Sequence, residues 1–269
     1  VVHEAERRYF RLGGSGGAMS NPTAAMLVIG DEILSGRTRD SNLAHLAKAL
    51  AEAGIDLREA RVVADAEGDI VAAVDALRGR YDHVFTSGGI GPTHDDITAD
   101  AVARAFGVPI GVREDARAIL ATNYRDPERE LNAARLRMAR VPEGAVLIDN
   151  PISKAPGFSI GNVHVMAGVP AIFEAMLAGL LPRLAGGRPL LSASLEAGRA
   201  EGEIAGELRE IAEAHPAVTI GSYPHSRGGR LGSTLLLRSA DEGALAAARA
   251  EVEAMIARMA AEREPGQAP

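Results

Sequence analysis

The stretch TSGGIGPTHDD, Thr86–Asp96, decides how the rest of the chain reads. It continues a short apolar run, His83–Ser87, with the character of a buried strand. Glycine permits positive φ and lets the backbone approach a ligand with no Cβ in the way. A strand, a glycine loop and then a helix offer free N–H donors and the positive end of a dipole. That combination binds anions, most often phosphate, although a glycine loop alone is equally often a tight turn. The acids at its end sharpen the reading. A helix is predicted over 95–106, with Ile97, Ala101, Val102 and Ala105 on its buried side. Carboxylates are favourable at its start, and Thr93 or Asp95 reads as its cap. A carboxylate beside a phosphate repels it unless a cation lies between, and magnesium commonly bridges one or two carboxylates to phosphate oxygens. Gly88, Gly89 and Gly91 are therefore candidate phosphate binders, and Asp96 is a candidate metal-holding acid.

Upstream of this loop, Ala24–Ile29 is a continuous apolar run followed by Gly30, Asp31 and Glu32, as expected of a buried parallel strand ending in a turn. A helix follows, with Leu43, Leu46, Ala47 and Leu50 at helical spacing, Asp40 or Ser41 as cap and Gly54 as stop. Arg58–Ala64 reads as a second strand, and Ile70, Val71, Val74 and Leu77 mark a second helix. Asp65, at the end of that strand, is either the N-cap of the next helix or a second metal-holding acid. One of Asp31 and Glu32 reads as a cap or a loop-ordering acceptor. The loops after these three strands are expected at one edge of a parallel sheet, where ligands bind near the switch in strand order.

Downstream, two charged helices are predicted over 114–123 and 128–139, then a strand over 145–148. GFSIGNVHVMAG reads as a hairpin turning at Gly161-Asn162, and Pro170 opens a further helix. Lys154, in the proline-flanked NPISKAPGF, is either a solvated lysine or a contact to phosphate that offsets charge on a leaving group. AGGRP, Ala185–Pro189, reads as a linker. Beyond it the pattern is strand, helix, strand, strand, helix, with His225 expected in an exposed hairpin loop beside Arg227 and Arg230. His94 reads as a loop-ordering residue. The expected organisation is a polar lead over 1–20, an α/β domain over 21–186, a small β-α-β-β-α domain over 187–262 and a frayed tail over 263–269.

The 269 residues include 46% apolar side chains but only 3% aromatic ones, so the core must be built from Ala, Val, Leu and Ile. The formal charge of −7, with acids and bases interspersed, argues against nucleic acid or an anionic membrane as partner. With no cysteine, thiolate metal sites, iron–sulfur clusters and cysteine nucleophiles are excluded. No apolar run reaches the roughly 18 residues of a membrane span, and the N-terminus lacks the apolar stretch of a secretory signal, so a cytoplasmic protein is expected.

Four segments together carry a family resemblance: GDEILSGRTRDSN (Gly30–Asn42), TSGGIGPTHDDIT (Thr86–Thr98), NPISKAPGF (Asn150–Phe158) and MAGVPAIFEAM (Met166–Met176). They resemble the N-terminal domain of the CinA family, within the molybdopterin-binding superfamily that includes MoaB and MogA. The resemblance implies a three-layer α/β/α domain with a mostly parallel sheet, followed by a small α/β domain. It implies a ligand-binding loop made of Ser87, Gly88, Gly89, Ile90, Gly91, Pro92 and Thr93. Asp96 and Asp65 match the two functional acids of the MogA-type adenylyltransferases. Gly30, Asp31, Glu32 and Asn42 fall in a CinA-like motif, as does Lys154. Gly168 and Pro170 match a further loop, in which Ala167 replaces a proline. The implied activity is hydrolysis of ADP-ribose to AMP and ribose 5-phosphate with a divalent metal, Mg, Mn or Co. In the family, nicotinamide mononucleotide deamidation belongs to a further domain, so that activity is not expected of this sequence. The implied partners are a small-molecule nucleotide or pterin phosphate and a second or third copy of the chain, with the hairpin Ile220–Leu237 as the expected contact. Two alternatives remain open: molybdopterin binding or adenylylation, and a non-catalytic nucleotide-binding regulatory module.

Overall fold

Strand β1 (Thr23–Ile29) lies between two parallel neighbours, β2 (Asp56–Val63) and β3 (His83–Ser87). Residues Ala24–Ile29 are all buried, and they divide by parity. Ala25, Leu27 and Ile29 enter one core, while Ala24, Met26 and Val28 enter another. The two-residue period of a strand forces that division, so a strand covered on both faces reads as one unbroken apolar run. The structure is a computed structural model that describes residues 21–261. The lead expected over 1–20 and the tail expected over 263–269 lie outside the described residues.

Three further strands, β6 (Val146–Ile148), β7 (Gly157–Ile160) and β8 (Val163–Met166), complete a six-stranded sheet in the order β2-β1-β3-β8-β7-β6. β2, β1, β3 and β8 are parallel, and β7 alone runs antiparallel to its neighbours. The β7–β8 hairpin turns at Gly161-Asn162, with Gly161 at φ 55. Asn162 donates its amide to the carbonyls of Arg78 and Tyr81, at 2.9 and 2.8 Å, which ties the turn to the opposite end of the sheet from the glycine loop.

The helices of this unit, in order, are α1 (Asp31–Leu34), α2 (Asn42–Glu52), α3 (Glu67–Arg78), α4 (Thr98–Phe106), α5 (Glu114–Ala121), α6 (Pro127–Glu130), α7 (Ala133–Leu136) and α8 (Pro170–Leu180). α3, α4 and α5 pack on one face of the sheet through Ile70, Val74, Leu77, Val102 and Leu120. α2 and α8 pack on the other through Leu46, Leu50, Phe173, Met176 and Leu177. Each such side chain contributes about 1.5–3 kcal/mol by leaving water. The result is the three-layer α/β/α arrangement the sequence implied.

Several expectations are corrected. The helix after the glycine loop starts at Thr98, not at Asp95, and neither Thr93 nor Asp95 caps it. The acids lie in a turn that closes on itself before the helix begins. The helix expected over 128–139 breaks into α6, α7 and a 3-10 turn, Arg137–Ala139. Leu131 leaves the helical region at ψ 71, and the side chain of Asn132 accepts from the Arg135 N–H to start a new turn. A two-stranded antiparallel ribbon, β4 (Ile110–Val112) with β5 (Arg140–Pro142), was not foreseen, because three-residue strands carry too little periodicity.

The chain divides into two compact units between Gly187 and Arg188. The second holds β9 (Leu191–Ala197), α9 (Glu201–Ala214), β10 (Thr219–Arg227), β11 (Arg230–Ser239) and α10 (Glu242–Ala261), with antiparallel strands ordered β10-β11-β9. Its core joins Ile204, Leu208 and Ile211 of α9 to Leu235 and Leu237 of β11 and to Val252 and Met255 of α10. The hairpin strands run further than expected, to a turn at Gly228-Gly229 where both glycines have positive φ. His225 is therefore on β10, not in a loop. It is half-buried and bonded to Glu196 at 2.9 Å.

Candidate functional site

β1 has β2 on one side and β3 on the other, so the chain reverses its direction of travel across the sheet at β1. In sheets of this kind ligands bind at the carboxyl ends of the strands at that switch, where the loops after β1 and β3 lie. Gly88 (φ 108) and Gly89 (φ 67) turn the chain there. A Cβ on Gly88 would strike the Ile29 carbonyl, and one on Gly89 would strike the Thr98 hydroxyl. Thr98 is fully buried; its hydroxyl donates to the Gly88 carbonyl at 3.0 Å and its N–H to the Gly89 carbonyl at 2.9 Å. The loop is thus folded back onto the first residue of α4.

Asn42, at the start of α2, ties this loop to another. Its Nδ2 donates to Ser87 Oγ at 2.7 Å and to the Gly168 carbonyl at 2.8 Å. Its Oδ1 is buried with no hydrogen-bond partner among the described residues. Gly168 lies directly against Gly88, and Pro170 opens α8 two residues later. Loops after β1, β3 and β8 therefore meet at one small volume.

The acids sort into two groups. The Asp31 N–H donates to Asp65 Oδ2 at 2.9 Å, and the Asp65 N–H reaches back to Asp31 Oδ1 at 3.4 Å. Asp65 does not cap α3, whose N-cap is Ala66. Its carboxyl is held above the ordinary carboxylate range by loss of solvent first, then by the negative charges of Asp31, Glu32 and Asp95. Glu32 folds its carboxylate over Gly30. Asp96 instead serves its own loop: its Oδ2 accepts from the Thr93 N–H at 2.8 Å and from the Thr93 hydroxyl at 2.6 Å, beside Gly91. Pro92 is exposed, and so is His94, which points to solvent rather than ordering the loop. Among the described residues no three His, Cys, Asp or Glu side chains are grouped closely enough to hold a metal alone. The donor set at Asp65 is nevertheless hard oxygen with unbalanced negative charge. It fits a divalent ion that takes its remaining ligands from a phosphate and water.

On the α4 side of the glycine loop lies a small open recess with room for about one water molecule, lined by Gly89, Gly91, Asp96, Asp100, Arg137 and Arg140 among others. Arg137 Nη2 donates to the Asp96 carbonyl at 2.9 Å, and Arg140 pairs with Asp100. The Nε of each guanidinium is buried with no hydrogen-bond partner among the described residues. Neither arginine was singled out from sequence, because both fell at the end of a run that read as one charged surface helix. Asn132, a capping residue in the middle of that run, was the available signal that the helix breaks and turns inward.

Residues 25–186 match the family model described as the probable molybdopterin binding domain, and residues 189–264 match the middle domain of FAD synthase. The crystal structure of the protein CinA with unknown function from Thermoplasma acidophilum superposes with a TM-score of 0.56 at 34% identity, covering 60% of this chain and 97% of that one. The chain belongs to the molybdopterin-binding family, in its CinA-like branch. A CinA-like protein of Desulfosudis oleivorans is 40% identical over 179 residues, which is 64% of this chain and 43% of that protein. A protein of Pyrobaculum calidifontis is 35% identical over 212 residues, 76% of this chain and 81% of that one. This CinA-like chain thus spans less than half the length of the Desulfosudis relative. No helix among the described residues is long and apolar enough to cross a membrane.

In this CinA-like domain Lys154 is set by its backbone. It is the one non-glycine residue at positive φ among the described residues, at φ 59. Asn150, 1% exposed, builds the turn that holds it there. The Asn150 amide donates to Ser153 Oγ and the Ala155 carbonyl, its Oδ1 accepts from the Ile152 and Ser153 N–H groups, and its own carbonyl accepts from the Lys154 N–H at 3.1 Å. Holding a lysine in the left-handed region costs about 1–3 kcal/mol and persists where the surroundings over-determine it, as they do at ligand sites. The ammonium has no carboxylate partner among the described residues, so it is available to an anion.

Proposed function

We propose that this chain is a metal-assisted phosphoanhydride hydrolase that splits a nucleotide such as ADP-ribose into AMP and ribose 5-phosphate. The observation that supports it most is the pairing of two opposites in one crevice. A glycine loop, Gly88–Gly91, packs tightly against Ile29 and Thr98 at the carboxyl end of β3, and the carboxylates centred on Asp65 feel the charge of Asp95 at the end of that loop. An anion cradle alone needs no such acids, and acids alone would repel an anion.

Asp65 and Asp96 would hold the metal, directly or through water. The ion, when bound, would polarise a phosphoryl oxygen and acidify water. The chain's own part is placement. Glycine-loop N–H groups would orient the phosphates, and Asn42 keeps the loops around them in register through Ser87 and Gly168. Water attacks one phosphorus, the bridging P–O bond breaks, and the departing phosphate keeps the bridging oxygen. Lys154 would offset the charge that gathers there. The protons released on ionisation of the two products pass to solvent.

The test is incubation of the full chain with ADP-ribose, FAD, NAD and ATP separately, each with Mg, Mn or Co, with products resolved by chromatography. AMP from ADP-ribose, lost in Asp96→Asn while the fold persists, is the expected result. Undiminished turnover in that variant refutes the roles given to Asp96. A second reading, pterin binding or adenylylation at the same crevice, is favoured by the family match over residues 25–186. No product from any nucleotide, with retention of molybdopterin, would establish it in place of the first.

A further inference from the structure

We infer that Asn150 is a positioning residue of the site: it acts on a phosphate only through Lys154, whose place at the ligand edge of the sheet it fixes. The inference rests on the hydrolase reading for the class of ligand and adds to it the device that sets the lysine. Three observations carry it. First, the backbone at Lys154 suits glycine. The other positive-φ positions among the described residues, from Gly36 to Gly229, are all glycine, and glycine at 154 would carry no steric cost. A long cation stands there instead. Second, one buried side chain clamps the turn on both sides of Lys154. Asn150 accepts from the Ile152 and Ser153 N–H groups through Oδ1 and donates to the Ala155 carbonyl at 2.8 Å through Nδ2. Its backbone carbonyl accepts from Lys154 itself. A lysine that only meets solvent needs no such clamp. Third, the turn lies where a phosphate would be held. β7 is antiparallel to both β6 and β8, so the loop after β6 leaves the sheet at the same edge as the glycine loop. Pro156 shares the lining of one recess with Gly89, Ile90 and Gly91, and it is two residues, about 7 Å of chain, from Lys154.

The two residues then divide one task. Lys154 would meet the departing phosphate, and Asn150 never touches it. With the turn fixed before any ligand arrives, only the lysine stem remains to be ordered, which lowers the entropy lost on binding. The backbone strain is the counterpart of that placement. Lys154→Gly removes strain and ammonium together, whereas Lys154→Ala removes the ammonium and keeps an L-residue at positive φ. The folding equilibrium constant of the glycine variant should exceed that of the alanine variant by about three- to tenfold, with turnover lost in both.

The test on the full chain has two readouts. The NOE between amide and Hα protons of one residue is strong only at positive φ, so native Lys154 should show it and Asn150→Ala should lose most of it. Turnover of ADP-ribose with Mg, Mn or Co is then compared in Asn150→Ala, Lys154→Ala and the double variant. Each single substitution should lower kcat roughly tenfold or more with KM nearly unmoved, and the double variant should fall no further than Lys154→Ala. A second loss of similar size in the double variant, or an NOE that survives Asn150→Ala, overturns the inference, because Asn150 would then not act through Lys154. Should Asn150→Ala lose cooperative unfolding, Asn150→Asp, nearly the same in shape, removes only the donations to Ser153 and Ala155 and must move both readouts the same way. The two readings fail separately. Turnover that Asn150→Ala lowers equally with and without Lys154 would leave the hydrolase and remove the positioning role. A native chain that turns over no nucleotide would remove the hydrolase. The same four proteins are then compared for retention of inorganic phosphate with magnesium, where losses that do not add uphold the inference, and losses that add, or no retention by the native chain, overturn it.

Discussion

His164 should make the larger unit sensitive to acid. It sits on β8 in the middle of the sheet, 3% exposed, between His83 and Ser159. Its Nε2 lies 3.2 Å from His83 Nδ1, its Nδ1 lies 2.9 Å from Ser159 Oγ, and its ring packs 5.0 Å from that of Phe85. Burial, then the neighbouring His83, pushes its pKa down to about 3 from 6.5. The unfolded chain therefore binds a proton here through the range between those values and the native chain does not. Stability is fully present above pH 6.5 and is lost as the pH falls toward 3. Between pH 7 and 4.5 that linkage removes about 2.5 kcal/mol. His83, also depressed by burial, adds loss of the same sign. The assay is urea unfolding of the full chain at pH 7, 5.5 and 4.5, followed by the amide signals of Val163 and Val165 so that this sheet alone is read. His164→Gln should be less stable at pH 7 but should lose about 2.5 kcal/mol less than the native chain on going to pH 4.5. Equal losses in the two proteins would mean that native His164 protonates with ordinary affinity, and the argument from burial would fail.

Two further substitutions probe the loop junction. Gly89→Ala forces an L-residue to φ 67 and drives a Cβ into Thr98, so it should cost about 1–2 kcal/mol from the backbone alone and more from the clash. A urea midpoint at the native value would show that the loop does not approach α4 so closely. Asn42→Ala removes the hydrogen bonds to Ser87 and Gly168 and should cost about 2–3 kcal/mol, with faster hydrogen exchange at the start of α8. Unchanged exchange there would mean that the Gly168 loop is held by other contacts.

Much of the larger unit was legible because its strands are buried on both faces. A run such as AAMLVI has no second interpretation of comparable length, and the glycines that follow it and TSGG mark where the chain must turn. Gly161-Asn162 was legible for the same reason. What escaped was whatever depends on hydrogen bonds between side chains and loop backbone. Asp95 and Asp96 look like the first turn of a helix, since acids are favourable there. Only the geometry shows Asp96 spending its oxygen on Thr93 and the helix waiting until Thr98. Asp65 looks like a cap, and no local rule says that it will pair instead with the backbone of Asp31, 34 positions away. The β4–β5 ribbon was missed because each strand has three residues, and with it went the segment that carries Arg137.

That omission bears on how the crevice is understood. The sequence draws attention to acids, because Asp-Asp after a glycine loop is conspicuous, and a site built only of these would need a cation to accept any phosphate at all. The structure adds Arg137, whose guanidinium donates to the Asp96 carbonyl, but the carboxylates of Asp96 and Asp100 line the same recess as Arg137 and Arg140, so the charge there is balanced. A cation at the Asp65 group is therefore what either functional reading needs before a phosphate can settle beside the glycine loop. Phosphate retention that vanishes when divalent metal is removed is the expected result, and equal retention with and without metal would refute the argument.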